Sequence, residues 1–176
     1  YCARREVFDN ILFEHATKVC QFRERVQVMG LQREHAKVVG VKVNDLGLDE
    51  ERVITSHIVV GADGAQSIVA KELNVSHLPE EHGCVAVRGY YENVQGVKDH
   101  IELHFVEEMI PGYFWIFPIE GNKCNVGAGM VLNEMQKKKI NLVDATKKVL
   151  EREPFKSRFA NAKALGEMKG WTLPFG

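Results

Sequence analysis

The chain has 176 residues, 45% hydrophobic and 27% charged, enough apolar material to bury a core and too much for a disordered polyelectrolyte. Its 23 basic and 24 acidic residues leave a net charge of −1, so no long-range field draws it to nucleic acid or to an anionic membrane. Cys2, Cys20, Cys84 and Cys124 are scattered with no CxxC pair, which speaks against a disulfide framework and fits reduced thiols in the cytoplasm.

From Glu6 to Val19, apolar side chains at Phe8, Ile11, Leu12, Ala16 and Val19 recur at helical spacing. This predicts an amphipathic helix packed by one stripe. Three β-rich runs follow, Val26 to Met29, Ala36 to Val43 and Arg52 to Val60, the last two separated by the turn signal Asn44-Asp45-Leu46-Gly47. They predict an antiparallel meander feeding a buried strand, Ile58-Val59-Val60, which ends at Gly61 and leads into a helix from Ala65 to Leu73. Beyond His77-Leu78-Pro79 the strands lengthen: Cys84 to Tyr91, His100 to Val106, Tyr113 to Pro118 and Lys123 to Met130, a mostly antiparallel sheet. A helix is expected from Asn141 to Arg152, capped by Asn141, followed by an irregular tail. The start lacks an initiator Met and Leu173-Pro174-Phe175-Gly176 reads as a turn, so the chain is expected to be an internal piece of a longer protein.

Two segments carry chemistry. In Val59-Val60-Gly61-Ala62-Asp63-Gly64-Ala65-Gln66-Ser67 a hydrophobic run stops at small residues, presents a carboxylate and turns into a helix. Gly61 and Gly64 let backbone approach a ligand, and helical N–H groups follow, which suits a nucleotide. The same turn also reads as a tight connection with Asp63 capping the helix. In Pro111-Gly112-Tyr113-Phe114-Trp115-Ile116-Phe117-Pro118, strand alternation puts Tyr113, Trp115 and Phe117 on one face and Phe114 and Ile116 on the other. Three rings in a row form a stiff apolar wall for a flat ring or a greasy chain, or one layer of an ordinary core.

The Asp63 turn, with Arg5-Glu6-Val7-Phe8-Asp9 upstream of it, resembles flavoproteins that include aromatic hydroxylases, halogenases and geranylgeranyl reductases. Within that group, Tyr113-x-Trp115-x-Phe117-Pro118 followed by Val126-Gly127-Ala128-Gly129 is similar to the signature of the geranylgeranyl reductase family. The resemblance implies an α+β chain in two parts. Residues 1–78 would be part of an FAD-binding lobe whose N-terminal Gly-x-Gly-x-x-Gly unit is missing, and residues 79–176 a substrate-binding sheet lobe with flanking helices. It implies FAD as cofactor, held through Arg5, Ala62, Asp63, Gly64 and Ser67, and NAD(P)H as a candidate electron donor, although Ala70 stands where the family's arginine is usual.

The same resemblance implies a polyprenyl substrate against Tyr113, Trp115, Phe117 and Pro118, reduced at its carbon–carbon double bonds, with the flavin facing the same cleft. No side chain is assigned as catalytic, because the flavin carries the chemistry. The chain alone is expected to hold flavin weakly and not to turn over. The alternatives are a flavin-dependent hydroxylase or halogenase, and a non-enzymatic module that binds an apolar ligand. No metal is assigned: in His100-Ile101-Glu102-Leu103-His104 the apolar residues are expected to face the core and the polar ones solvent. A greasy substrate implies peripheral membrane contact; oligomeric state is left open.

Overall fold

The computed structural model describes residues 2–75 and 82–175. They fall into two separately packed units, Leu12–His77 and Tyr1–Ile11 with Leu78–Gly176. The expected join near residue 78 lies outside the described residues.

The chain enters through helix α1, Arg5–Ala16, which ends three residues before its apolar pattern does. None of its residues is buried, and Phe8, Ile11 and Leu12 are each about half exposed, so the stripe expected to pack lies open among the described residues. Strands β1 (Val26–Glu34), β2 (Lys37–Asp45) and β3 (Glu50–Thr55) form the expected antiparallel meander. Its second turn is closed by the Asp45 carboxylate, which accepts N–H bonds from Gly47 and Leu48. Leu31 and Val43 are the buried hydrophobic side chains of this unit among the described residues.

The run Ile58-Val59-Val60 corrects the sequence reading. It is not a strand, and Ile58 and Val60 are 76% and 81% exposed. A strand needs a neighbour for its N–H and C=O groups, and among the described residues this run has none. The helix after it, α2, is Ile68–Glu72, five residues rather than nine.

In the other unit, strands β4 (Gly83–Glu92), β5 (Glu102–His104), β6 (Gly112–Ile119), β7 (Lys123–Val131), β8 (Lys163–Ala164) and β9 (Lys169–Pro174) make one antiparallel sheet. Its order is β5-β6-β7-β4, with β8 and β9 both pairing to β4. The end expected to be a turn is therefore a strand through Pro174, and β5 is only three residues of a run expected to span seven. Helices α3 (Leu132–Lys137) and α5 (Phe155–Phe159) escaped the sequence reading. Helix α4 (Leu142–Leu150) did not: Asn141 is its cap, its side chain accepting from the N–H groups of Val143 and Asp144.

The core lies on the helical side of this sheet. Phe114, Ile116, Val126, Ala128 and Met130 point there and are almost wholly buried, packed with Leu142, Val149 and Phe155 from the helices. Alternation therefore leaves Tyr113, Trp115 and Phe117 on the opposite, open face.

Candidate active site

The open face is organised by register. Trp115 on β6 pairs with Gly127 on β7, which pairs with Arg88 on β4. One step along, Tyr113 pairs with Gly129, Gly129 with Ala86, and Ala86 with Trp171 of β9. The missing side chains at Gly127 and Gly129 make a flat floor. A Cβ at Gly127 would lie 2.4 Å from Cζ2 of Trp115 and 2.2 Å from the Val87 carbonyl, so only glycine lets the indole lie across β7. The indole N–H donates to Oδ1 of Asn125 at 3.0 Å, which fixes the ring's rotation. Phe117 stacks on Trp115 with centroids 5.8 Å apart, Tyr113 flanks it at 6.0 Å, and Phe105 continues the row at 6.2 Å from Tyr113.

These rings wall a shallow cleft of about 280 Å³, closed at one end by Pro111 and Gly112 and bordered by Leu173. Its lining holds no carboxylate, imidazole or amine. Such a wall can hold a hydrocarbon and exclude water, and the Cys84 thiol and the Tyr113 hydroxyl are the ionisable groups among its described residues. Tyr113, Trp115 and Phe117 all line it. Pro118 does not, since it sits opposite Cys124 on the packed side of the ladder.

A larger cavity, about 570 Å³, lies by β5 and α5, among Phe105, Glu107, Glu108, Arg152, Glu153 and Phe155. Three carboxylates in its wall make it a poor host for a hydrocarbon despite its size.

The other candidate residues lie at the second segment. The Asp63 carboxylate accepts from the Ser67 hydroxyl and from the N–H groups of Ile68, at 2.7 Å, and Val69. These bonds, the Ser67 one foremost, hold it below the usual carboxylate range. Ser67 in turn caps α2 by accepting from the Ala70 N–H. The helical N–H groups expected to be free for a ligand are therefore already bonded within the turn, and Asp63 is a cap. Gly61 serves packing, because a Cβ there would meet Val69 at 2.6 Å. What remains open is backbone: Ala62, Asp63 and Gly64 are exposed, and Gly64, at φ +79°, has nothing within 4 Å of a built Cβ. Arg5 opens α1 and grips Asp9 one turn on through two N–H bonds of 2.9 and 3.0 Å.

Sequence reasoning misplaced Glu102 and His104. They face the packed side of the sheet, while Ile101, Leu103 and Phe105 are 52%, 46% and 73% exposed. Arg158 from α5 holds both Glu102 oxygens at 2.6 and 2.7 Å, and His104 bonds the same carboxylate at 2.9 Å. The Arg158 guanidinium holds the Glu102 carboxyl below the usual range, against the opposing pull of burial, with His104 adding to it. No local pattern announces a partner 56 residues away.

Comparison with known proteins places this geometry in context. Residues 83–166 match the family model described as the geranylgeranyl reductase catalytic domain. The digeranylgeranylglycerophospholipid reductase of Methanosarcina mazei is 33% identical over 147 residues, covering 82% of this chain and 36% of that protein. Among solved structures, a geranylgeranyl bacteriochlorophyll reductase-like protein from Thermoplasma acidophilum superposes with a TM-score of 0.84 at 21% identity, over 97% of this chain and 42% of that one. The myxobacterial chondrochloren halogenase, an FAD-dependent halogenase, gives 0.76 at 22% identity, over 97% and 41%. The chain thus spans little more than a third of the curated relative it matches.

Proposed function

Through residues 83–166 the chain belongs to the geranylgeranyl reductase family, and from that premise we propose that its protein is an FAD-dependent oxidoreductase that saturates carbon–carbon double bonds of a polyprenyl substrate. The supporting observation is the ring row Tyr113, Trp115 and Phe117 over the glycine floor of β7, a mostly apolar wall with no carboxylate, imidazole or amine in its lining. It suits a reaction in which protein side chains orient and dehydrate rather than react. When bound, fully reduced FAD would supply both hydrogens of each reduced double bond, one as hydride and one as a proton.

Within this reading the chain's own residues have distinct tasks. Tyr113, Trp115 and Phe117 hold the prenyl chain flat, while Pro118 lies on the packed side of the strand that carries them. Asn125 keeps the one indole N–H turned away from the hydrocarbon. Ala62 and Gly64 offer exposed backbone to the flavin, fitting a group approached by main chain, while Asp63 and Ser67 keep that turn in shape. No helix among the described residues is long and apolar enough to cross a membrane.

The test is an anaerobic reaction of the flavin-loaded protein, chemically reduced, with a geranylgeranyl lipid. Mass spectrometry should show the lipid gaining two hydrogens per double bond as the flavin band returns. A hydroxylated or halogenated product under air would favour the alternative flavin chemistries. Prenyl binding by a protein that never takes up flavin would favour a binding module.

A further inference from the structure

The open face has a charged end that the reaction itself does not use. Arg88 stands on the same face as Trp115, two strands away with only Gly127 between them. Lys169 of β9 pairs directly with Arg88, so two cations sit side by side. Among the described residues neither has a carboxylate within ion-pairing distance. Glu92, four residues along β4 from Arg88, lies 3.6 Å from Lys163, and Glu167, two residues before Lys169, is exposed. The Arg88 guanidinium is also held in place, stacked over the Tyr90 ring with its carbon 4.6 Å from the centroid. A partly buried, pre-oriented guanidinium beside a second unpaired cation is the donor set that binds phosphate oxygens.

We infer that Arg88 and Lys169 form a subsite for the phosphate of a phosphorylated prenyl lipid. This deepens the polyprenyl reading and rests on it. Two strand spacings put Arg88 about 10 Å, and three put Lys169 about 14 Å, from the Trp115 ladder position. A lipid anchored there by its phosphate runs across the glycine floor and brings its first prenyl units against the ring row. The charged pair thereby sets which end of the chain lies where, a positional choice that the apolar wall cannot make.

The experiment follows binding by Trp115 fluorescence in the Trp171→Phe protein, with geranylgeranyl diphosphate, geranylgeraniol, inorganic phosphate and FAD as probes. The diphosphate should bind about tenfold or more tightly than the alcohol, as charge-assisted bonds allow. Arg88→Gln and Lys169→Gln should each narrow that difference, leave alcohol binding unchanged and reduce its dependence on salt. Equal weakening of both lipids, or an undiminished preference for the diphosphate, overturns the inference while the polyprenyl reading stands. Inorganic phosphate competing no better against the protein than against Arg88→Gln also overturns it. If Arg88→Gln loses FAD rather than the lipid, the pair serves the cofactor and the inference fails. If geranylgeraniol does not bind at all, the polyprenyl reading falls and takes the inference with it.

Discussion

The indole N–H of Trp115 donates to the side-chain oxygen of Asn125, ten residues along the same hairpin, at 3.0 Å. This bond holds the central ring of the open face by a partner beside it rather than by anything in the cleft. Replacing Asn125 with Leu removes the acceptor and leaves a partly buried donor without a bond, which costs about 1 kcal/mol. Thermal unfolding should detect that loss, and Trp115 emission should shift in the folded protein. Asn125→Asp, which retains an acceptor, should restore the emission.

Gly127→Ala is expected to be the more damaging change. Its methyl would meet both the Val87 carbonyl and the Trp115 ring inside normal contact distance, and the backbone oxygen has no room to retreat. Overpacking of this kind costs about 1–3 kcal/mol. Urea unfolding of Gly127→Ala against the parent should show it, and Gly129→Ala on the same strand makes a control, since a Cβ built there meets nothing nearer than 3.5 Å.

On the other side of the sheet, Arg158 and Glu102 tie α5 to the edge strand β5. Both side chains are mostly buried, 18% and 13% exposed, so removing one partner strands a charge. Arg158→Gln is expected to cost about 3 kcal/mol. The sign of the pH dependence follows from the depressed Glu102 pKa. Its contribution is fully present above the ordinary carboxylate value of 4.5 and is lost as pH falls through the lower folded value. Stability curves of the parent and Arg158→Gln should therefore converge in acid and separate above it.

The cysteines give a fourth check. Cys20 is exposed, whereas Cys124 is 2% exposed and burial pushes its thiol pKa up. An alkylating reagent should modify Cys20 in the folded protein and reach Cys124 only on unfolding. Rapid labelling of Cys124 under native conditions would mean that the core drawn around Phe114 and Val126 is not formed.

The features that were legible in the sequence were those whose cause is local. Asn141 caps α4 as read, because a cap and its helix are neighbours in the chain. The meander and the two faces of β6 followed from turn residues and alternation. What escaped depended on partners far along the chain. Ile101, Leu103 and Phe105 looked like core because they are apolar, yet β5 is an edge strand whose packed face is held by a carboxylate paired with distant Arg158. Ile58-Val59-Val60 looked like a buried strand for the same reason and has no neighbour here to pair with. At the candidate site, the ring row was visible in the sequence and the cap role of Asp63 was one of the two readings the turn allowed, while the glycine floor beneath Trp115 required coordinates.

Photolabelling decides where the prenyl chain lies. A geranylgeranyl probe bearing a diazirine along its chain, activated on the protein and mapped by peptide mass spectrometry, should mark Tyr113, Trp115 and Phe117, with geranylgeraniol suppressing the label. Labels gathered instead around Phe155 and Arg152, in the larger cavity across the sheet, or spread without suppression, would contradict the assignment of the open face to the substrate.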